Sequence, residues 1–583
     1  STGGIASGPV SFMRVFDAAT QAVKQGGTRR GANMGILRCD HPDILEFIQC
    51  KENNKDITNF NISVSLTDDF MKKLERAEDY DLIDPHSKKP VKRLNAKEVF
   101  DLIVKQAHKN GEPGVIFIDR MNEFNPTPQL GEYESTNPCG EQILLPYESC
   151  NLGSINLSLM VKEAQGRYEV DWQKLKRTVH TGVRFLDNVI DMNKFPLEEI
   201  EQNTKKTRKI GLGVMGWGSM LCRLGIAYNS DEALKLAEKI MSEIFKEARA
   251  ESRILAEEKG EFPAYKQSIY AKKNASKMRN ATLTTIAPTG TISIIAGPCS
   301  SGIEPLFALS YYRNVMDNDK LVEVDNIFEE AAKKRGFYSR ALMEKIAESG
   351  GVKDIPEVGE DIKRVFVTAH DIAPDWHIKM QAVFQKYTDN AVSKTVNFPQ
   401  GATVEDVKKV YLSAYELGCK GVTIYRDKSR EVQVLNIGKA EPDKEELKGK
   451  LSPRPRPEVT IGTTTKVSTG CGNLYVTINS DENGRPFEVF TQMGKAGGCA
   501  ASQLEAVGRL VSMALRAGVD LKSIIEQLKG IRCPSPSWEK GGRIFSCADA
   551  IARVIEKRLL DNSLKENTSQ EKIDIEPAFI SKR

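Results

Sequence analysis

The segment Ser135-Thr136-Asn137-Pro138-Cys139-Gly140-Glu141-Gln142 sets a thiol two residues from an amide on one side and two from a carboxylate on the other. Pro138 and Gly140 make it too irregular for helix or strand, so it reads as a loop tip presenting three functional groups together. A nearby carboxylate raises a thiol's pKa, which is wrong for a thiolate nucleophile served by a His base. Hydrogen-atom chemistry at the sulfur, with the carboxylate as base on a substrate hydroxyl, fits the trio better; the bland alternative is a turn with an incidental Cys. Cys150 follows eleven residues after Cys139, and two Cys at this separation can meet a third from elsewhere. Further on, Ala287-Pro288-Thr289-Gly290-Thr291-Ile292-Ser293 follows an apolar strand candidate, Thr282–Ile286. A Thr/Gly/Ser turn after a strand offers N–H and hydroxyl donors to phosphate. It lacks the GK[ST] of a Walker loop, and a simple turn is the competing reading.

Other patterns carry less. Gly211-Leu-Gly213-Val-Met-Gly216 fits a dinucleotide fingerprint on paper, but it follows the basic run KKTRK instead of a strand. It reads better as the approach to a helix whose absent side chains permit tight packing. Six His are scattered without HExxH or any Cys/His pairing at ligand spacing. Four of the eleven Cys, Cys471, Cys499, Cys533 and Cys547, fall in the last part of the chain, with spacings unlike a CxxC knuckle. A four-cysteine zinc site and redox-active or buried thiols both stay open there.

These groups need a scaffold, and the rest of the sequence describes one. Helical spacing over Val10–Lys24, Lys97–His108, Asp171–Met192, Asp231–Glu258, Asp375–Lys386 and Val404–Leu417 alternates with strand-like Asn59–Leu66, Gly114–Ile118 and Gly421–Tyr425. That alternation is an α/β pattern. The Pro-rich, charged stretch EPDKEELKGKLSPRPRPE reads as linker, so domains are expected at 1–430 and 461–560, joined by 431–460 and followed by a polar tail, 561–583. In the second, strands Leu474–Ile478 and Phe487–Phe490 flank a turn, followed by helices Ala501–Ala517 and Ala548–Leu560. The 583 residues carry 83 Lys plus Arg against 79 Asp plus Glu, too balanced for a strong field toward nucleic acid or anionic membrane. The uncharged run Asn280–Ile303 is too rich in Thr, Ser, Pro and Gly to span a bilayer. An odd number of scattered Cys argues for reduced thiols and a cytoplasmic protein.

In order along the chain, QGGTRRGANMGILRCDHPDILEFI (Gln25–Ile48), STNPCGEQILLPYESCNLGSINLS (Ser135–Ser158), TRKIGLGVMGWGSML (Thr207–Leu221), APTGTISIIAGPCSSGIEP (Ala287–Pro305) and GCKGVTIYRDKSR (Gly418–Arg430) resemble the large catalytic chain of ribonucleotide reductases. The adenosylcobalamin-dependent class II enzymes are the nearest match. The later GCGNLYVTIN, GKAGGCAAS and FSCADAIARV resemble the Cys-containing C-terminal domain found on many of them.

The resemblance implies a ten-stranded α/β barrel, two antiparallel halves of five parallel strands, with a finger loop through its centre. It implies that Cys139 at the fingertip, flanked by Pro138 and Gly140, forms the thiyl radical that takes the 3′ hydrogen of a ribonucleotide. Glu141 is then the base on the 3′-OH, Asn137 binds the ribose hydroxyls, and Cys150 is one of two thiols oxidised as the 2′-OH leaves as water. Pro288, Thr289, Gly290, Thr291 and Ile292 match the turn holding the substrate phosphates, with Ser293 just beyond. Gln25, Gly26, Gly27, Thr28, Arg29, Arg30, Gly31, Ala32 and Asn33 match the loop linking a dNTP/ATP effector site to the active site. The helix before that loop resembles a homodimer contact. Ribonucleoside diphosphate is the substrate expected on family grounds, and a thioredoxin-type protein the reductant.

The family's other dithiol Cys lies upstream of this sequence, so a preceding portion or a companion chain is expected to supply it. Ser1 is the residue type that follows an excised intein; an incomplete gene, a split gene or a trimmed chain are the alternatives. Two alternatives are a class I large subunit, disfavoured by a lone Tyr425 and by the second domain, and a non-catalytic nucleotide-binding fragment.

Overall fold

The computed structural model describes all residues except 1–6, 24–30, 54–55, 273–275, 315–319, 428, 430–452, 482–483, 495–498, 540–541 and 571–583. The chain divides into two compact units, residues 1–440 and 441–583, a split inside the expected linker.

In the first unit the strands that matter are β1 (Asn33–Arg38), β2 (Phe60–Leu66), β3 (Gly114–Phe117), β4 (Ser135–Thr136), β5 (Ile143–Leu144), β6 (Asn151–Asn156), β7 (Ile210–Met215), β8 (Thr395–Phe398) and β9 (Gly421–Arg426). Five of them form one sheet in the order β1-β2-β3-β9-β8. β1, β2 and β3 run parallel, β9 and β8 run parallel, and the seam between β3 and β9 is antiparallel. Parallel bridges continue the series beyond β8: Val392 meets Ile286, Thr284 meets Leu212, and β7 pairs with β6. Three parallel strands therefore oppose five, with segment 282–286 as one of the five. The expected strand at Thr282–Ile286 holds that place by isolated bridges, without a continuous ladder.

Strands covered on both faces read as apolar runs, and all residues of β3 and β7 are buried. Amphipathic helices supply the cover. Residues 96–110 form a helix capped by Asn95 and stopped by Gly111 at φ 85°, packing Val99, Phe100 and Ile103 into one core with Val410 and Tyr411. Trp172–Met192 and Asp231–Lys259 bury Leu175, Val179, Ile240 and Ile244 against Leu212 and Val214 of β7.

The glycine-rich string corrects the sequence reading: Gly211 and Gly213 lie in β7 itself, and only Gly216, at φ 73°, opens the helix Trp217–Leu224. A Cβ on Gly213 would overlap the Thr285 carbonyl oxygen, and one on Gly211 would overlap the Gln142 amide. The glycines thus let the barrel strand lie against segment 282–286 and the Gln142 side chain of the finger. Low strand propensity hid the strand, because glycine usually marks bulges or close backbone approach. Gly213→Ala should lower stability by about 1–3 kcal/mol through overpacking. An unchanged urea midpoint would show that the Thr285 carbonyl yields freely.

The second unit holds a three-stranded antiparallel sheet, Ile461–Thr469, Gly472–Ser480 and Pro486–Met493, with helices Cys499–Arg516, Leu521–Leu528 and Cys547–Gln570. Its core joins Leu474, Val476 and Val489 to Leu504, Val511 and Ile551. The last helix runs to Gln570, so the first ten residues of the expected polar tail (561–570) are helical. No helix among the described residues is long and apolar enough to cross a membrane.

Candidate active site

The finger is a short hairpin, β4 paired antiparallel with β5, and its tip is closed by its own polar groups. Asn137 N–H donates to the Gln142 carbonyl (3.2 Å), the Gln142 N–H donates to Asn137 Oδ1 (3.0 Å), and Gly140 N–H donates to the Asn137 carbonyl (3.0 Å). Gly140 turns the chain at φ 77°. The barrel grips the tip from several sides. Asn61 of β2 donates to the Pro138 carbonyl (2.8 Å), while Thr285 Oγ1 (2.8 Å) and Ala391 N–H (3.0 Å) both donate to the Glu141 carbonyl.

Pro138, Cys139 and Gly140 line a cavity of about 900 Å³, together with Pro288 and residues of β2, β3, β8 and β9. Cys139 is exposed to this cavity; desolvation by the surrounding walls pushes its thiol up to about 11 and the Glu141 charge adds to the rise, so at neutral pH the sulfur keeps its proton. Glu141 is buried and is not part of the cavity wall; its Oε2 has no hydrogen-bond partner among the described residues. Desolvation raises its pKa, against an opposing hydrogen bond from Asn137. A buried carboxyl of raised pKa is the usual state of a proton-accepting group awaiting a partner.

Cys150 immediately precedes β6, with Sγ donating to the Asn151 carbonyl (3.3 Å). Burial raises its pKa most; Lys209 lowers it, while Glu148 and Glu141 raise it further. The two last-named carboxylates tie Cys150 electrostatically to the finger.

Of the turn after segment 282–286, Pro288 reaches the cavity. Thr289, at φ 54°, accepts from Gly302 N–H at Oγ1 (2.7 Å), and the Ser293 hydroxyl faces Ser301 Oγ (3.2 Å) and the Gly290 carbonyl (3.5 Å). Thr289 and Ser293 are thus buried supports, whereas Gly290, Thr291 and Ile292 are exposed. In the expected effector loop, Gln25, Gly26, Gly27, Thr28, Arg29 and Arg30 lie outside the described residues. Gly31 packs against Thr20, Ala32 is exposed, and Asn33 starts β1 with its amide donating to Thr20 Oγ1 (2.8 Å).

Sequence reasoning missed a buried ion pair at the foot of the finger. Lys209 and Glu148 meet at 2.6 Å with side chains 1% and 2% exposed. Glu148 also accepts from Leu145 N–H (2.7 Å) and Thr207 Oγ1 (2.6 Å), and Lys209 donates to Tyr133 Oη (3.1 Å). The available signal was positional: Lys209 ends a basic run at the edge of a wholly buried strand.

In the second unit the Cys499 side chain lies outside the described residues, Cys471 is exposed, and Cys533 and Cys547 are half-buried. Among the described residues no three His, Cys, Asp or Glu side chains are grouped to hold a metal ion, so the zinc expectation draws no support there.

The strand series and finger define an α/β barrel with a hairpin reaching its cavity, and the chain belongs to the ribonucleotide reductase family. A family model described as "Ribonucleotide reductase, barrel domain" matches residues 1–425, and one described as "TSCPD domain" matches 445–559. Among curated relatives, the chain is 55% identical over 449 residues to the vitamin B12-dependent ribonucleoside-diphosphate reductase of Thermoplasma acidophilum, covering 77% of this chain and 58% of that one. It is 48% identical over 443 residues to the enzyme of the same name from Mycobacterium tuberculosis, covering 76% and 63%. The chain thus spans about six-tenths of the length of these relatives. Among solved structures, the alpha subunit of the class Id ribonucleotide reductase of Actinobacillus ureae shares the fold with a TM-score of 0.60 at 24% identity, over 73% of this chain and 75% of that one.

Proposed function

We propose that this chain forms the catalytic barrel of an adenosylcobalamin-dependent reductase that converts ribonucleoside diphosphates to deoxyribonucleotides. The observation that carries the reading is Cys139: a thiol on a braced hairpin tip, lining a cavity of about 900 Å³, beside a buried carboxyl. The names of the relatives, which specify vitamin B12 dependence, support the cofactor class.

The cavity suits such a partner in size and chemistry. About 900 Å³ is near the upper end for small-molecule sites, and Asn61, His370, Asn397 and Gln400 offer amide and imidazole groups to ribose and base edges. These are the residues that would hold an adenosyl arm and a substrate side by side. When bound, the cofactor supplies the one-electron oxidation of a thiol.

The chain's own groups do the rest. Cys139 Sγ, once a radical, removes the 3′ hydrogen atom and later returns it. Glu141 takes the proton of the 3′-OH, while Asn137 orients the ribose hydroxyls. The 2′-OH leaves as water on receiving a proton from a thiol, and two thiols become one disulfide, which balances the two electrons consumed. Cys150 is one of them; its partner thiol comes from a preceding portion or a companion chain. The turn Pro288–Ile292 holds the substrate phosphates. In the ten-stranded barrel we infer, two more strands lie between the open edges of β1 and β6. A thioredoxin-type protein restores the dithiol, dNTP or ATP effectors act through the loop 25–33, and the exposed Phe12, Val15 and Phe16 of the helix Gly8–Ala22 face a second copy in a homodimer.

The test combines the chain with the portion of a relative that it does not span and measures deoxyribonucleotide formation. Product should require adenosylcobalamin, and Glu141→Gln should lower turnover by about 10²–10⁴-fold, the range for loss of a general base. Because burial raises the Glu141 pKa, wild-type turnover should climb with pH through that raised value, and the Gln variant should lack this limb. Turnover without cobalamin, or a Glu141→Gln rate equal to wild type, would overturn the reading. Nucleotide binding with no reduction would favour the binding-fragment alternative.

A further inference from the structure

One buried cation on the cavity wall has no part in the chemistry above. Lys394 lies between the Val392 bridge and β8; its side chain is fully buried, yet the residue lines the same cavity as Cys139 and Pro288. Its ammonium donates to Glu304 Oε2, to His377 Nδ1 (2.9 Å) and to the Thr395 carbonyl (3.0 Å). The His377 contact requires the imidazole nitrogen to accept, and burial, with the Lys394 charge next, holds His377 well below its usual range. Its proton therefore sits on Nε2, which is buried.

Glu304 grips the same strand with its other oxygen, accepting from Thr395 N–H (2.8 Å). Following the backbone outward from this pair leads to both ends of the proposed substrate site. Upstream of Lys394, Ser393 N–H donates to the Ile286 carbonyl (2.8 Å) and Ala391 N–H to the Glu141 carbonyl (3.0 Å), so this strand anchors the fingertip. Upstream of Glu304, its own N–H donates to the Ser301 carbonyl (2.8 Å), Gly302 N–H donates to Thr289 Oγ1 (2.7 Å), and Ser301 meets Ser293. That loop therefore supports the turn 288–293.

We propose that Lys394, clamped by Glu304, is a positioning residue that sets the distance between the fingertip and the phosphate turn. The proposal rests on the substrate reading above. A buried charge pair with further hydrogen bonds has one good geometry, whereas an apolar contact tolerates sliding; this rigidity is what a two-ended ligand needs. A ligand touching only one end has no use for the clamp.

That difference is the test. Alkylation of Cys139 by iodoacetamide is followed by mass spectrometry of its peptide, in wild type and in Lys394→Met and Glu304→Gln, with CDP or with cytidine as protectant. In wild type CDP should protect Cys139. Each variant should need about tenfold more CDP or more for equal protection, with cytidine protection unchanged. The double variant should be no worse than the more severe single, since both remove one clamp. Equal loss for CDP and cytidine would mark mere local packing and overturn the proposal, as would unchanged CDP protection in both variants. Failure of CDP to protect even the wild type would instead remove the substrate reading, and this proposal with it. The isosteric Glu304→Gln keeps the experiment decisive if Lys394→Met does not fold.

Discussion

Cys139→Ser should abolish deoxyribonucleotide formation, by at least about 10⁴-fold, the scale of loss when a residue that bonds covalently or radically to substrate is removed. Serine preserves size and polarity, and the tip's hydrogen bonds run through Asn137, Pro138, Gly140, Glu141 and Gln142, none through the thiol itself. The hairpin should therefore keep its shape, and nucleotide affinity should stay within about threefold, since no bound-state contact of the loop backbone changes. Chemistry alone fails: an alcohol O–H is a much stronger bond than a thiol S–H, so an oxygen at this point cannot cycle between radical and hydrogen donor. The measurement pairs a turnover assay with equilibrium nucleotide binding. A serine variant that turns over at even a hundredth of the wild-type rate would mean that the thiol is not the hydrogen-atom carrier. The high thiol pKa, pushed to about 11, makes the same point from the other side, because an attacking thiolate would need it low.

Lys209→Met should cost about 3–5 kcal/mol of stability, the usual result of stranding one member of a buried pair. Glu148, 2% exposed, would lose the ammonium 2.6 Å away and retain only the Leu145 and Thr207 hydrogen bonds. Adding Glu148→Gln in the same chain should recover a large share of the loss, since the stranded charge disappears. Urea unfolding of the two variants reads this directly as midpoint shifts with an unchanged slope. If Lys209→Met alone moved the midpoint negligibly, Glu148 must already find water or another cation, and the foot of the finger would be looser than the geometry indicates. Because Leu145 and Glu148 both belong to the finger's descending limb, a loosened pair should also slow turnover.

Periodicity made the helices legible: Asp171–Met192 was expected and Trp172–Met192 is observed, and Val404–Leu417 became Val404–Glu416. Chemistry on one loop made the finger legible, because Asn, Cys and Glu crowd a Pro/Gly turn of eight residues. What stayed hidden depended on partners far away in sequence. Gly211 and Gly213 look like a turn until Thr285 and Gln142 lie against them. Lys209 looks solvated until Glu148 arrives, and Lys394 looks like an ordinary charge in SKTVNFP until Glu304 and His377 enclose it. Single-sequence patterns report local spacing and carry no record of which charge will be desolvated by which neighbour. The glycine string also shows local preference losing to tertiary fit, since a strand poor in propensity survives where the backbone must come close.

The antiparallel seam between β3 and β9 has a consequence for where evolution can act. In an ordinary parallel sheet every strand ends on the same side, and the loops there can be rewritten freely to change the ligand. With the two halves pointing opposite ways, no such common rim exists. The cavity is instead walled largely by strand interiors, Asn61–Ser63, Gly114–Ile116 and Val422–Ile424 among them, and the hairpin tip, Pro288 and loop residues such as His370 and Gln400 complete it. Those strand residues serve the frame and the cavity at once, so the shape of the cavity cannot be altered there without disturbing the frame. The loop residues of the wall, Pro288, His370 and Gln400, are the positions that can change without that cost.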